Sequence, residues 1–391
     1  MGQNIEKRTI NELYMLQALP LEVKVRKTEE RIKEWVDEYG IDGVYVSFSG
    51  GKDSTVLLHI ARRLFPTIKA VFVDTGLEYQ EIREFVRTFD NVDWLKPKMN
   101  FKQVIEKYGY PFISKEVSET VYYARKYLKI LREHEMADGN ITSKIIGSFE
   151  WDKLNAQGKY APQPNARFQI LTGTLEHKEK GVPTGEVSNM YNKKKYKFFL
   201  DAPFEISSQC CAVMKKAPIK SYAKQTGRNP MTAQMASESR LRTTQWLKNG
   251  CNGFDMKSPI SNPLSFWTEQ DVLYYIKINN IPIASVYGDI VKDYDGTDIL
   301  DGQMDMSELD ASLGVFDIGR PTLKTTGCSR TGCMFCGYGC HLEKSPNRFE
   351  RMKETHPKQY DYIMRPKEQG GLNYKEVIDW INEHGNMNIK Y

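Results

Sequence analysis

A doubly wound α/β domain, mainly parallel in its sheet and helical on both faces, is what residues 20–118 predict. Three observations carry that expectation. Short apolar runs recur at "VYVSF", "KAVFV" and "VDWL", the first two are followed by segments with helical apolar spacing, and the first enters its helix through Ser-Gly-Gly-Lys-Asp-Ser. Strands that are apolar on both sides belong in a parallel sheet covered above and below by helices.

The elements follow in order. Residues 20–40, "PLEVKVRKTEERIKEWVDEYG", space Leu21, Val23, Val25, Ile32, Trp35 and Val36 among charges and end on Gly40, so a helix precedes the first strand. "GVYVSFSGG" is then strand and loop, "KDSTVLLHIARRLF" a helix, "KAVFVDTG" a strand, "LEYQEIREFVRTF" a helix and "VDWLKP" a third strand. A helix is expected at "KEVSETVYYARKYLKILREHE", after which the chain to about residue 200 turns polar and weakly periodic and carries the basic, aromatic run "YNKKKYKFF". Regular structure returns with helices at "CCAVMKKAPIKSYAKQTG", "SESRLRTTQWLKNG" and "WTEQDVLYYIKINN", and a strand at "PMTAQMA". The organisation expected is therefore residues 1–118 as the first part of a nucleotide-binding domain, 119–204 as an insertion and 205–287 as the remainder of the domain. Residues 288–326 are an acidic loop, too long for an ordinary connection, with Asp289, Asp293, Asp295, Asp298, Asp301, Asp305, Glu308 and Asp310. Residues 327–391 are a cysteine-rich metal module with a helical tail.

Composition bounds the function classes. With 391 residues, 40% hydrophobic and 12% aromatic, the chain can bury a large core and fill two or three units. No run of about 18 uncharged apolar residues occurs, and the first residues lack an apolar signal core. A cytoplasmic protein that neither spans nor needs a membrane is expected. The net charge of +5 is compatible with an anionic ligand without requiring a nucleic acid.

The loop at 49–54 is the sharpest signal. Glycines after a strand let the backbone turn tightly and aim N–H groups at one point, and the following helix start adds partial positive charge. Ser49 and Ser54 add hydroxyls, while Lys52 adds a point charge suited to phosphate oxygens. The spacing differs from the Walker loop, which disfavours a kinase or GTPase. Asp53 beside a phosphate calls for a bridging cation, and Mg²⁺ is the natural one. Asp74 ends the second strand, where open α/β sheets bind ligands; a helix N-cap for "LEYQEIREF" is its equal alternative. Glu78 is expected in the first turn of that helix.

Ser-Gly-Gly-Lys-Asp-Ser after an apolar strand resembles the adenine-nucleotide α-hydrolase superfamily, the N-type ATP pyrophosphatases. "AVFVDTGLEYQEIREF", "MTAQMASESRLR" and "NPLSFWTEQDVLYYIKINNIPI" are similar to successive elements of sulfate adenylyltransferase small subunits and phosphoadenosine-phosphosulfate (PAPS) reductases. The likeness covers most of residues 20–118 and 205–342. It implies that Ser49, Gly50, Gly51, Lys52, Asp53 and Ser54 hold ATP by its pyrophosphate half, leaving AMP on an acceptor. It also implies that Arg240 and Arg242 steady phosphate or a developing anion, with Glu238 orienting one of them. Gln234 and Ala236 depart from the family's Gly and Arg neighbourhoods.

Six of seven cysteines fall in two groups, Cys210 with Cys211, and Cys328, Cys333, Cys336 and Cys340 in "GCSRTGCMFCGYGC"; Cys251 stands alone. In a reducing compartment such clusters indicate metal or redox chemistry. Tetrahedral zinc on the later cysteines and a [4Fe–4S] cluster both fit, as do bare redox thiols. "CCAVMKKAPI" resembles the tandem-cysteine element of adenylylsulfate reductases, with Met214 and Lys215 shifting its Arg-Lys pair. That likeness favours a 4Fe–4S cluster on Cys210, Cys211, Cys328, Cys333 and Cys336, with a spare thiol able to carry sulfur. No cysteine follows Cys340, so the C-terminal nucleophile of true PAPS reductases is missing.

The function expected is ATP-dependent adenylylation of an acceptor oxygen followed by sulfur transfer, with pyrophosphate released. This resembles tRNA thiolases and the DNA phosphorothioation sulfurtransferase. A nucleic-acid acceptor would suit "NKKKYKFF", although a solvated charged loop explains it too, and a sulfur-donor protein is an implied partner. Two alternatives stay open: a PAPS or adenylylsulfate reductase, and a nucleotide-sensing iron–sulfur regulator.

Overall fold

The computed structural model describes residues 8–133, 166–179, 181–293 and 321–391. The middle of the polar insertion and most of the acidic stretch, from Asp295 to Asp310, lie outside the described residues. In chain order the elements are helices α1 (Ile10–Gln17) and α2 (Leu21–Tyr39), strand β1 (Val44–Ser47), α3 (Lys52–Leu64), β2 (Ala70–Val73), α4 (Gln80–Arg87) and β3 (Val92–Leu95). Next come α5 (Phe101–Tyr108), β4 (Phe112–Ile113), α6 (Lys115–Glu133), α7 (Ala166–Thr172), and the hairpin β5 (Glu176–Glu179) and β6 (Val182–Val187). The chain continues with α8 (Ala217–Thr226), β7 (Asn229–Met231), α9 (Arg240–Asn249), β8 (Asn252–Gly253), β9 (Ile260–Ser261), α10 (Glu269–Ile278) and β10 (Ile290–Lys292). It closes with β11 (Leu323–Thr325), β12 (Gly337–Tyr338), α11 (Arg348–Thr355), α12 (Pro357–Met364) and α13 (Tyr374–Gly385). No described helix is long and apolar enough to cross a membrane.

The chain forms two compact units, Met1–Pro97 with Ala217–Cys333 and Lys98–Lys216 with Met334–Tyr391. The first is built on a six-stranded sheet in the order β3-β2-β1-β7-β9-β8. All neighbours run parallel except β8 and β9. Alternation along β1 sends Val44 and Val46 into the large core with Trp35, Leu57, Ile60 and Trp267, while Tyr45 packs on the opposite face with Val71 and Tyr222 of α8. Both faces are therefore covered, as a doubly wound sheet requires. Strands β2 and β3 extend to one side of β1 and β7 to the other, which makes the β1/β7 boundary the topological switch point where such sheets bind ligands.

The run "FWTEQD" turns out to be a bolt. Lys24 of α2 places its ammonium 2.8 Å from both oxygens of Asp271, and the two residues are 1% and 6% exposed. Asp271 also closes a capping box with Thr268 at the start of α10, and Trp267 donates its indole N–H to Thr28 of α2 at 2.9 Å. These groups lie buried and satisfied, which is the condition for carrying charge inside a core.

The second unit has an aromatic core of Tyr110, Phe112, Phe349 and Tyr374. Strand β12 pairs in parallel with β4, setting Tyr338 opposite Ile113. Gly337 is required there, because a Cβ would meet the Phe112 ring at 2.6 Å and the Pro111 carbonyl at 2.8 Å. The helix expected from Cys210 onward runs without a gap from Gln209 to Thr226 and widens into a π turn at Ala212–Lys216. Pro218 accounts for the wide turn, since it has no N–H to offer the carbonyl four residues back at Met214.

Candidate nucleotide site

The first unit gathers the site where β1 ends. Gly50 turns the chain with φ +72°, and a Cβ on it would strike Val86 and Ile82 of α4 at 2.7 and 2.8 Å, so only glycine fits. Gly51 is the N-cap of α3 and no side chain caps that helix; the first N–H, that of Lys52, meets the Tyr287 hydroxyl, and the Asp53 and Ser54 N–H groups follow it at the helix start. Ser49 and Ser54 are hydrogen-bonded to each other (3.0 Å), and Ser54 also receives the Ser49 N–H at 3.1 Å. The two hydroxyls stiffen the loop from inside.

Lys52 is 3% exposed, and its ammonium donates to Glu269 Oε1 at 2.6 Å and to the Ser329 carbonyl at 2.5 Å. Its backbone N–H meets the Tyr287 hydroxyl at 3.3 Å, and that hydroxyl pairs with Thr331 Oγ1 at 2.6 Å. The segment between Cys328 and Cys333 thus rests on the loop. It is tied there by Cys328 N–H to the Val286 carbonyl (2.9 Å) and Gly327 N–H to that of Tyr287 (2.8 Å).

Asp53 has a buried oxygen, Oδ1, with no hydrogen-bond partner. Burial pushes its carboxyl above the usual range, opposed by Lys52 beside it and by Arg330 and Arg242. An orphaned carboxylate oxygen at a phosphate loop is what a hard cation would complete, so the residue present fits Mg²⁺. Glu238 accepts the Met235 N–H at 3.0 Å, forms an ion pair with Arg242, and lies 3.7 Å from Arg330. Burial, then Arg330, lowers the Arg242 pKa. Among the described residues Arg240, exposed at the start of α9, shows no side-chain tie to this group.

Asp74 is held by Arg83 at 2.9 Å and by the Gly76 N–H at 3.2 Å. It is not a helix cap, because α4 starts later, with Tyr79 at its N-cap. Glu78 also falls short of the first turn; its carboxylate instead takes the Thr75 N–H and hydroxyl at 3.0 and 2.7 Å, closing the loop after β2. Glu269, Tyr287 and Arg330 were not anticipated from sequence as site residues. The order of the motifs held the only hint, since Glu269 and Arg330 lie inside runs singled out for other reasons.

The cysteines divide between the units: Cys328 and Cys333 in the first, Cys210, Cys211, Cys336 and Cys340 in the second. A hydrogen bond with Cys210 draws the Cys211 pKa down to about 6 against the effect of burial, aided by Lys115, Lys215 and Lys216. Burial raises Cys336, which feels Cys211, and pushes Cys340 up to about 12. Thiols suit soft metals in kind, but among the described residues no three Cys, His, Asp or Glu side chains are gathered to hold a metal ion. Cys251 is a core thiol that accepts a hydrogen bond from Ser265 at 3.2 Å.

A covered, mainly parallel sheet with a glycine turn and an uncapped helix start at its switch point is the α/β architecture on which phosphate sites are commonly built. The chain belongs to the phosphoadenosine phosphosulfate reductase domain family, whose model matches residues 43–139 and 157–337. Membership of that family implies adenine-nucleotide binding. An uncharacterized protein of Methanocaldococcus jannaschii is 33% identical over 124 residues, which cover 30% of this chain and 29% of that protein. The chain thus spans under a third of that relative's length. A crystal structure of PAPS reductase from Candida auris in complex with phosphate is 13% identical with a TM-score of 0.33, covering 74% of this chain and 98% of that one.

Proposed function

We propose that this chain is an ATP-dependent adenylylating enzyme of the PAPS reductase family that readies an acceptor for sulfur transfer. The observation that carries the reading is the complete Ser49–Ser54 loop on an uncapped helix start, with Lys52 buried beside it and one Asp53 oxygen left without a partner. The α3 N–H groups and Lys52 bind the β- and γ-phosphates, and Asp53 would hold a Mg²⁺ that offsets their charge. An acceptor oxygen attacks the α-phosphorus, the bond to pyrophosphate breaks, and pyrophosphate leaves with its charge on the loop. Arg242, oriented by Glu238, faces the developing charge. The outer sulfur of a cysteine persulfide then attacks the adenylylated centre, AMP departs with the former acceptor oxygen, and a second thiol cleaves the resulting disulfide, leaving sulfur on the acceptor and a disulfide between the two thiols.

The Cys211 thiol, drawn down to about 6, is largely thiolate at neutral pH, the form that ligates metal or carries sulfur. A 4Fe–4S cluster remains our assignment for the cysteine groups, with zinc as the alternative; because the described thiols do not converge, no step is routed through it. The test is anaerobic purification with iron and sulfide analysis, followed by pyrophosphate assays against tRNA, DNA and small acceptors. Pyrophosphate release that requires an acceptor is expected. Sulfite release from adenylylsulfate without ATP turnover would replace the reading with a reductase, and stoichiometric zinc in a colourless protein would replace the cluster.

A further inference from the structure

The second unit contains a cavity of about 680 Å³, within the roughly 300–1,000 Å³ of small-ligand sites. The start of α6, the residues around Lys193 and the segment after Cys336 wall it, and no acidic residue is among those that line it. Lys115, Lys193 and Lys195 contribute three ammonium groups, Asn192 an amide, Tyr338 a phenol and His341 an imidazole. Glu116, the neighbour of Lys115, pairs with Lys193 at 3.4 Å from a half-exposed position. That offsets one charge at most and leaves the cavity net positive.

Two features mark the cavity as built to receive something. The Nδ1 atom of His341 is buried and has no hydrogen-bond partner. An imidazole nitrogen left unused beside ammonium groups can donate to an oxyanion. Ile113 on the wall holds φ +67°, a conformation rarely adopted by a β-branched residue. The chain maintains it through the pairing with Tyr338 and the Gly339 N–H bonded to the Ile113 carbonyl at 2.8 Å.

We infer that this cavity is an oxyanion site for a phosphate of the substrate, either a phosphodiester of a single nucleic-acid strand or the phosphate of a small phosphorylated ligand. Three lysines without a bidentate arginine suit a strand bound by charge and not by base identity. Tyr338 donates its hydroxyl to the Ser207 carbonyl at 2.8 Å, and Tyr196 is buried beneath the Lys195 ammonium, 4.8 Å from its ring. The aromatic rings therefore shape the floor and are not free to stack on bases. The site does not depend on the ATP reading, since every lining residue lies in the second unit.

The test uses the full chain with a fluorescein-labelled oligothymidylate in anisotropy titrations over a salt series, and inorganic phosphate in thermal-shift titrations. The variants are Lys115→Gln/Lys193→Gln/Lys195→Gln and, as a milder change at an exposed residue, Lys195→Gln alone. If a strand is the ligand, the triple variant binds at least about tenfold more weakly and its salt slope flattens by roughly two, at about 0.7 per lost contact. The single variant falls between the two. If a small phosphate is the ligand, inorganic phosphate stabilises the wild type and not the triple variant, and the strand does not bind. Equal behaviour of wild type and both variants toward both probes overturns the site. The Lys52→Ala variant serves as the discriminator: retained probe binding there separates this cavity from the nucleotide loop, and lost binding assigns the effect to the loop and overturns the inference.

Discussion

The tether on Lys52 makes a prediction of unusual sign. Two of its three donors are used, one on Glu269 Oε1 at 2.6 Å and one on the Ser329 carbonyl at 2.5 Å. A phosphate that draws the ammonium toward itself does so against the pull of Glu269. Glu269→Gln keeps the shape and removes the charge. A charged hydrogen bond is typically worth about 1.5–3 kcal/mol, but Glu269 is 40% exposed, and solvent screening reduces such a pair to roughly 1 kcal/mol or less. Calorimetric titration with Mg-ATP should therefore show Glu269→Gln binding more tightly, by up to about fivefold at roughly 1.4 kcal/mol per decade. Lys52→Ala should move the other way, by about ten- to a hundredfold, because it removes a phosphate contact outright. Glu269→Gln binding as weakly as Lys52→Ala would mean that Glu269 serves the nucleotide directly, and the tether would be refuted.

Two further outcomes follow from burial. Asp53 has its carboxyl pushed above the usual range by burial, so ionising it costs folding stability that is absent at low pH and grows as pH rises through its range. Asp53→Asn should therefore raise the melting temperature at neutral pH, with the gain vanishing in acid, while weakening Mg²⁺-dependent ATP binding; a gain that persists below the carboxylate range would contradict the assignment. Asp271→Ala leaves the Lys24 ammonium buried without its partner and should cost about 3–5 kcal/mol in urea unfolding, whereas Lys24→Met/Asp271→Leu should recover much of it. A loss under about 1 kcal/mol would place the pair in solvent and not in the core.

Local physics was legible and distant pairing was not. Strands β1, β2 and β3, the helices between them and the phosphate loop are written in short windows of apolar spacing and glycine placement, and they lie where those windows indicated. The helix near Glu78 begins three residues later than expected, at Gln80 and not Leu77, because Glu78 finds a closer use in binding Thr75 than in a helical first turn. The π turn after Cys211 follows from Pro218, which lies inside the run that resembles a family element but acts here through the hydrogen bond it cannot make. Asp271 is the instructive case. It sits in a run that carries the family resemblance, yet its partner is Lys24, 247 residues away, and no window contains both. Glu269 and Arg330 were hidden for the same reason: each acts on the loop only once the chain has folded over it.

That folding-over places the segment between Cys328 and Cys333 against the proposed nucleotide loop, which its cysteines alone would not suggest. Ser329 offers Lys52 a carbonyl, Thr331 fixes the Tyr287 hydroxyl that accepts the Lys52 N–H, and Arg330 shares Glu238 with Arg242. Three consecutive residues therefore reach the loop lysine directly, the loop backbone through Tyr287 and Arg242 through Glu238. The two flanking cysteines set the ends of this short segment. Whatever Cys328 and Cys333 bind would shift the Ser329 carbonyl and the Arg330 charge by displacing so few residues of chain, and a hydrogen bond loses strength steeply once its length or angle departs from the optimum. The chemistry of those thiols and the grip of Lys52 are consequently linked through the backbone of a single loop, with no larger rearrangement of the sheet required.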